Sequence, residues 1–327
     1  MAADEKYSPK TEPDDGKISI NKPAKKNITN KIKQALMLPT CMNLNPRSIC
    51  NKVTELITLI KELQVHCIFL SESWERPEFN LSELISIDDF TVISNPHQRQ
   101  GQGGRPALIV NTKFYHVRNL TNTLIEIPWG CEATWALLTP KNATNVSLIK
   151  KIAVCSLYSK PNSGTKKKLL DHISYAYNLI STNYQTGLHF IMAGDTNELK
   201  LDPILHLNPR MQQMVKGITR LNPPRMLDPI ITTLGSFYQS PEILDPLDAD
   251  PDSGGRPSDH LIPLMRPINE IFIEWKQAYS RQSHILGVRA FAENGVRPTL
   301  LPLISSYFQS CEMQIKWHTN YPNQDRC

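Results

Sequence analysis

Two runs of the chain constrain its fold more than any other feature. Val65-His-Cys-Ile-Phe-Leu-Ser-Glu and Leu188-His-Phe-Ile-Met-Ala-Gly-Asp are apolar almost without alternation, and each closes on a carboxylate, Glu72 and Asp195. A strand with one wet face alternates apolar and polar residues. Continuous runs of this kind read as strands buried on both faces. Any sheet built from them must be covered on both sides.

The surrounding segments supply the cover. Gln34 to Asn45 reads as a first strand, and Ser48 to Leu63 carries apolar residues at helical spacing through Ile49, Val53, Leu56, Ile57, Ile60 and Leu63. Phe90–Ser94, Pro106–Asn111, Ala133–Leu138, Lys151–Tyr158 and Met226–Thr232 read as further strands, with a glycine-containing turn from Gln98 to Arg105. Lys166 to Thr182 has a helical stripe through Leu169, Ile173, Ala176 and Ile180, and Leu261–Met265 is a final apolar run. Interleaved strands and helices indicate an α/β class. Two sheets face to face with helices outside, a four-layer α/β sandwich, satisfy the need for cover on every face.

Residues 1–34, rich in Lys, Asp, Pro and Asn, read as a disordered basic tail, residues 35–266 as the folded domain, and residues 267–327 as a helical connector or tail, with helices expected over Ile271–Gly287 and Ser305–Trp317. The length of 327 residues needs no disulfide support. The seven cysteines are odd in number and scattered, and read as reduced thiols. No signal peptide or bilayer-length apolar run is present, so a nuclear or cytoplasmic, non-secreted protein with no membrane partner is expected. The net charge of +5 fits a polyanionic partner and equally an ordinary soluble protein.

Polar and ionisable residues recur where the strands end: Asn45, Glu72, Tyr158, Asp195 with Asn197, Asp228, and Asp259 with His260. Strand ends in α/β folds converge on one edge, where ligands collect. The set suits phosphodiester hydrolysis. Glu72 and Asn45 supply oxygen ligands for a hard cation such as Mg2+, for which Mn2+ can substitute. Asp195 and Asn197, two apart, are expected to share a face and hold one water or one base. His260 and Tyr158 are donors for charge developing on phosphate, and Asp228 can hold His260 in one tautomer and keep it cationic. Glu72 also fits a helix cap, and Asp228, before Pro229, a turn former. The remaining histidines, His172 among them, read as structural or surface. Trp74, Trp129 and Trp135 read as packing residues rather than base-stacking surfaces.

The ordered string Asn-Pro-Arg-Ser, Ser-Glu-Ser-Trp, Leu-Tyr-Ser-Lys-Pro, Gly-Asp-Thr-Asn, Leu-Asp-Pro-Ile-Ile-Thr and Ser-Asp-His, across residues 36 to 266, resembles the endonuclease/exonuclease/phosphatase superfamily. Its details look closest to the endonuclease domains of LINE-type, Jockey-like non-LTR retrotransposons. The resemblance implies a DNase I-like fold and Mg2+-dependent nicking of double-stranded DNA. It implies Glu72 and Asn45 at the metal with Asp259 nearby, Asp195 at the attacking water, and Asn197 positioning Asp195 or the phosphate. It also implies Tyr158 and His260 at the phosphate and Asp228 behind His260. The reverse transcriptase region of such an element is absent from this chain, which suggests a truncated or captured copy. Relatives carry Gly-Gly-Gly where this chain has Gly103-Gly-Arg-Pro.

Two other readings stand beside this one: a phosphatase or phosphodiesterase of the same fold acting on a small phosphoester, and a catalytically silent binding module. No zinc finger or helix-turn-helix is present. Duplex affinity is therefore expected from phosphate contacts, with Arg99, Arg105, Lys160, Arg220 and Arg225 as candidates.

Overall fold

The computed structural model describes residues 38–74, 80–85, 87–95, 104–143, 147, 149–161, 164–248 and 258–268, together with the backbone of 274–277 and 313–316. The expected basic tail, Arg99 and most of the connector lie outside these residues.

Six strands form the first sheet: β1 (Cys41–Leu44), β2 (Cys67–Leu70), β3 (Phe90–Ser94), β4 (Ala107–Asn111), β13 (Glu242–Leu244) and β14 (Ile262–Met265), in the order β13-β14-β1-β2-β4-β3. The second sheet, in the order β5-β6-β7-β8-β12-β9, holds β5 (Tyr115–Asn119), β6 (Glu132–Pro140), β7 (Lys151–Tyr158), β8 (Leu188–Asp195), β9 (Gln212–Gln213) and β12 (Ile230–Thr232). A small hairpin joins β10 (Arg220–Leu221) to β11 (Pro224–Arg225). Both sheets are mixed, with parallel pairs β1–β2 and β7–β8.

Three apolar clusters show how the layers stack. Cys41, Phe69, Leu108 and Val110 of the first sheet pack against Ala136, Leu138, Val154 and Ile191 of the second, so the sheets face each other across one core. The outer face of the first sheet, through Met42, Leu44, Ile68 and Leu70, takes Leu56 and Ile60 of helix α1 (Val53–Glu62) and Leu81 of the short α2 (Leu81–Leu84). The outer face of the second sheet, through Trp135, Cys155 and Met192, takes Leu169, Ile173, Ala176 and Ile180 of α3 (Lys166–Asn183) and Ile204 of the short α4 (Asp202–Leu205). This is the four-layer α/β sandwich that the doubly buried strands require. The unbroken runs β2 and β8 are buried at almost every position because each sheet is covered on both sides.

Strand and helix positions follow the expected pattern closely, with instructive departures. β5 carries few apolar residues, Tyr115 buried and Val117 partly so, and escapes a periodicity reading because it lies at the sheet edge. α1 starts at Val53 rather than Ser48, because Arg47 and Ser48 adopt positive φ of 51° and 99°. In the C-terminal region, where helices are expected, Glu274–Gln277 (β15) and Met313–Lys316 (β16) instead pair as antiparallel strands, Trp275 opposite Ile315. Met313–Lys316 alternates apolar and polar residues, a period of two that a longer helical window overlooks, and Glu274–Gln277 carries a single apolar residue, Trp275. The five cysteines among the described residues are free, four of them buried.

Candidate active site

Pairing brings the ends of distant strands to one edge. β1 and β2 run parallel, Leu44 beside Leu70, so Asn45 and Glu72 leave the first sheet together. β14 runs antiparallel to β1, which returns Ser258–His260 to the same point, and the Ser258 hydroxyl donates to the Asn45 carbonyl at 2.6 Å. In the second sheet Tyr158 is the parallel register partner of Asp195. β12 lies antiparallel to β8, Ile230 opposite Ala193, which brings Asp228 beside Asp195.

The two sheets meet at Asn45, which is 1% exposed. Its Nδ2 donates to Asp195 Oδ2 at 2.9 Å and to Glu72 Oε1 at 3.2 Å, and lies 3.4 Å from His260 Nε2. The Arg47 main-chain N–H donates to Asn45 Oδ1 at 3.1 Å, which orients the amide. The amide thus turns its nitrogen, not its oxygen, toward the carboxylates. Glu72 accepts a second hydrogen bond from the Trp74 indole at 3.0 Å, so its side chain belongs to the site and not to a helix cap.

Asp195 is buried, and its Oδ1 accepts the main-chain N–H of Asn197 at 2.9 Å. Asp195 and Asn197 do not share one strand face, contrary to what their spacing predicts. β8 ends at Asp195, and Asn197 turns into left-handed backbone at φ 45°. Its side chain donates to the Ser159 carbonyl at 2.8 Å. Asn197 therefore contacts Asp195 through its backbone, and its side chain ties the loop to the end of β7.

His260 Nδ1 lies 2.8 Å from Asp228 Oδ2, and both side chains are buried. Burial alone lowers the histidine pKa. The Asp228 carboxylate, aided by Asp195 and Asp259, overcomes this and raises it above the ordinary value, favouring the imidazolium. Burial pushes the Asp195 carboxyl well up, and the like charges of Asp228 and Glu72 add to that, against the opposing pull of His260. Asp228 is raised by burial, while His260 and the Thr219 hydroxyl pull it back.

Asp259 is differently placed. Its Oδ2 accepts from Arg220 Nε at 2.9 Å and its Oδ1 from Arg47 at 3.3 Å, with His260 Nε2 at 3.9 Å. Burial works against its charge, but Arg220, His260 and Arg47 hold it below the usual carboxylate range. Both oxygens are committed to guanidinium groups, which leaves Glu72 as the better-placed carboxylate for a cation.

The donor set fits a hard divalent cation. Glu72, half-buried, and the buried Asp195 and Asp228 bring three carboxyl groups together against the single imidazole of His260, an excess of acidic oxygens that suits a hard cation. Asp195, Asp228 and His260 place ligand atoms within 4.8 Å of one another. His260 Nδ1 is already spent on Asp228, so that trio is a hydrogen-bonded acid–histidine pair beside a carboxylate rather than a cation cage.

Several contributors carry no motif. Asn43, 0% exposed on β1, crosses the interface and donates at 3.1 Å both to the Gly194 carbonyl, before Asp195, and to the Pro229 carbonyl, after Asp228. A polar residue two positions before Asn45 in a buried strand was the available signal. Lys52, also buried, donates to the carbonyls of Pro46 (2.8 Å) and Ser48 (3.3 Å), pinning the loop that presents Asn45 and Arg47. Thr219 Oγ1 accepts the main-chain N–H groups of Leu227 and Asp228. Gly104 in the Gly103-Gly-Arg-Pro segment has φ 71°, and an added Cβ would overlap the Glu132 carboxylate, whose Oε2 accepts the Arg105 N–H at 2.7 Å. Arg105 is itself buried, which removes it from the expected phosphate-contacting rim. Arg220 is committed to Asp259, Arg225 approaches Glu198 at 3.9 Å, and Lys160 is exposed.

Solved structures share this architecture. A 3′-5′ exonuclease from Neisseria meningitidis superposes with a TM-score of 0.50 at 10% identity, over 70% of this chain and 99% of that one. The chain thus has the DNase I-like fold of the endonuclease/exonuclease/phosphatase superfamily. Among the similar structures is the endonuclease domain of TRAS1, a telomere-specific non-LTR retrotransposon, with a TM-score of 0.50 at 12% identity, over 71% of this chain and 100% of that domain. No family model matches the sequence, and no curated protein matches it. Among the described residues no helix is long and apolar enough to cross a membrane.

Proposed function

We propose that this chain is a divalent-cation-dependent phosphodiesterase that nicks double-stranded DNA, as the endonuclease of a non-LTR retrotransposon or a captured copy of one. The observation that carries this reading is the buried cluster in which Asn45 joins Asp195 to Glu72 beside the His260–Asp228 pair. The likeness to the TRAS1 domain supports the fold, and the ordered strand-end motifs support the branch.

The residues divide the work by their surroundings. A carboxylate whose pKa is raised is a stronger base than free aspartate, so Asp195 takes the proton of the attacking water. The Asn45 amide and the Asn197 N–H hold its two oxygens and fix its direction. His260, kept cationic by Asp228, donates from Nε2 to a phosphate oxygen as charge develops there. Tyr158, beside Asp195 in the strand register, adds a second contact to the phosphate. Mg2+ or Mn2+ held through Glu72, with Asn45 adjacent, supplies neutralisation of the phosphate charge. Asp259 orients Arg47 and Arg220 at the rim, where they meet the DNA backbone.

Supercoiled plasmid incubated with the full chain and Mg2+ should convert to open circles bearing 3′-hydroxyl and 5′-phosphate ends, and EDTA should stop it. Equal nicking in EDTA, or no nicking with either metal, refutes the reading.

A further inference from the structure

Trp129 stands out among the large apolar side chains because it is 77% exposed, whereas Trp135, six residues on, is fully buried. The expectation that both are packing residues holds for Trp135 alone. A single exposed aromatic is ordinary on a protein surface. Its position and its neighbours make this one different.

Trp129 sits at the active-site edge of the second sheet. Glu132, at the start of β6, is the register partner of Tyr158, which is the partner of Asp195. The start of β6 is therefore two strand spacings, ~10 Å, from Asp195. The backbone that presents the indole is held firmly. Cys131 N donates to the Pro128 carbonyl at 2.9 Å, and Lys168 Nζ to the Trp129 carbonyl at 2.6 Å. Gly130 turns at φ 84° against Thr165.

The surroundings are basic. Lys166, Lys167 and Lys168 occupy the first turn of α3, with no acid there. Positive charge at that end opposes the helix dipole, so the lysines do not serve helix stability. Lys166 is paired with Glu198 at 2.8 Å, three residues beyond Asp195, which ties this end of the helix to the active-site loop. Lys160, Lys167 and Lys168 are exposed.

A ligand that matches a fixed flat apolar face, flanking ammonium groups and an adjacent phosphodiesterase centre is a nucleic-acid strand with an unpaired base. Bases within a duplex are stacked on both faces and offer none to a side chain. We propose that Trp129, with Lys160, Lys167 and Lys168, is a stacking platform for an unpaired base flanking the strand in the active site. This rests on the nucleic-acid reading of that site, and it adds a preference for gapped, frayed or overhanging DNA.

The test is fluorescence anisotropy of the full chain in EDTA, where no cleavage occurs. The probes are a blunt fluorescein-labelled duplex and the same duplex with a single-stranded overhang. Stacking on one aromatic is worth enough that Trp129→Ala should weaken overhang binding about 10-fold, change blunt-duplex binding less than about twofold, and be largely rescued by Trp129→Phe. Lys167→Ala, which leaves the loop anchor intact, should lower the log-log salt slope for the overhang by about 0.7. Overhang binding by Trp129→Ala within about twofold of wild type overturns the proposal. So does an equal loss on both probes, or a failure of Trp129→Phe to restore binding when both variants melt like wild type. Plasmid nicking by the wild type is assayed in parallel. Absence of nicking with the binding pattern intact removes the hydrolase reading and leaves the platform. Nicking with Trp129→Ala binding unchanged removes only the platform.

Discussion

Asn45 and Asp195, 150 residues apart in sequence, meet at 2.9 Å across the two sheets, so the candidate base is oriented by a side chain from the opposite half of the fold. Asn45 also reaches Glu72 and lies near His260, so this one amide joins groups from both sheets. The arrangement leads to measurable expectations.

Asp195→Ala and His260→Ala should each lower the nicking rate ~10²–10⁴-fold, as expected for loss of a general base or of a donor to a developing oxyanion. Asp195→Ala should melt close to wild type, because it removes a like charge beside Asp228 and Glu72, whereas His260→Ala should melt lower, because it leaves the buried Asp228 carboxylate without its partner. A well-folded variant that nicks within a few-fold of wild type removes that residue from the chemistry.

Glu72 and Asp259 should separate in a Mg2+ titration. Glu72→Gln should raise the half-saturating Mg2+ concentration about 10-fold or more. Asp259→Asn should leave it within about threefold while weakening DNA binding, because its carboxylate holds Arg47 and Arg220. Equal shifts in Mg2+ requirement would make Asp259 a metal ligand.

Asn43→Ala should cost stability and activity together. It removes the donor from two buried carbonyls, those of Gly194 and Pro229, at about 2–3 kcal/mol. The same carbonyls flank Asp195 and Asp228, so the nicking rate of the folded fraction should fall about 10-fold. Denaturant unfolding and a rate corrected for folded fraction check this; a loss of stability with an unchanged rate would confine Asn43 to packing.

His172 predicts a pH dependence of stability. It lies on the buried face of α3, its Nε2 accepts the Trp135 indole N–H at 3.2 Å, and burial lowers its pKa to about 4. The folded state therefore holds the neutral ring at pH values where the unfolded chain, near 6.5, takes up a proton. Its contribution is full above that unfolded value and is lost as pH falls toward about 4, by up to about 3 kcal/mol. Urea unfolding of wild type and His172→Gln between those limits should converge as pH falls. Parallel curves would show that His172 does not titrate in this way.

Legibility in the sequence followed the range of the physics involved. β3, β7 and β8 lie where their apolar runs begin and end, because strand period and length are local properties. The hairpin β10–β11 and the edge strand β5 had no such signature, since short exposed ladders need few apolar residues. Trp129 and Trp135 are the same residue type in one short segment, and only the packing of α3 over β6 decides which is buried.

By itself the sequence determined the doubly covered sheets and the set of polar groups at their ends. Unbroken apolar runs cannot face water, and a carboxylate that closes such a run must lie at a strand end. Tertiary structure alone decided the partnerships. It turned the Asn45 nitrogen toward Asp195 and Glu72, gave Asp259 to Arg47 and Arg220, and drew Asn43 across to the carbonyls beside Asp195 and Asp228. These choices depend on which charges approach one another after burial, over separations as long as the 212 residues between Arg47 and Asp259, and no local pattern encodes them.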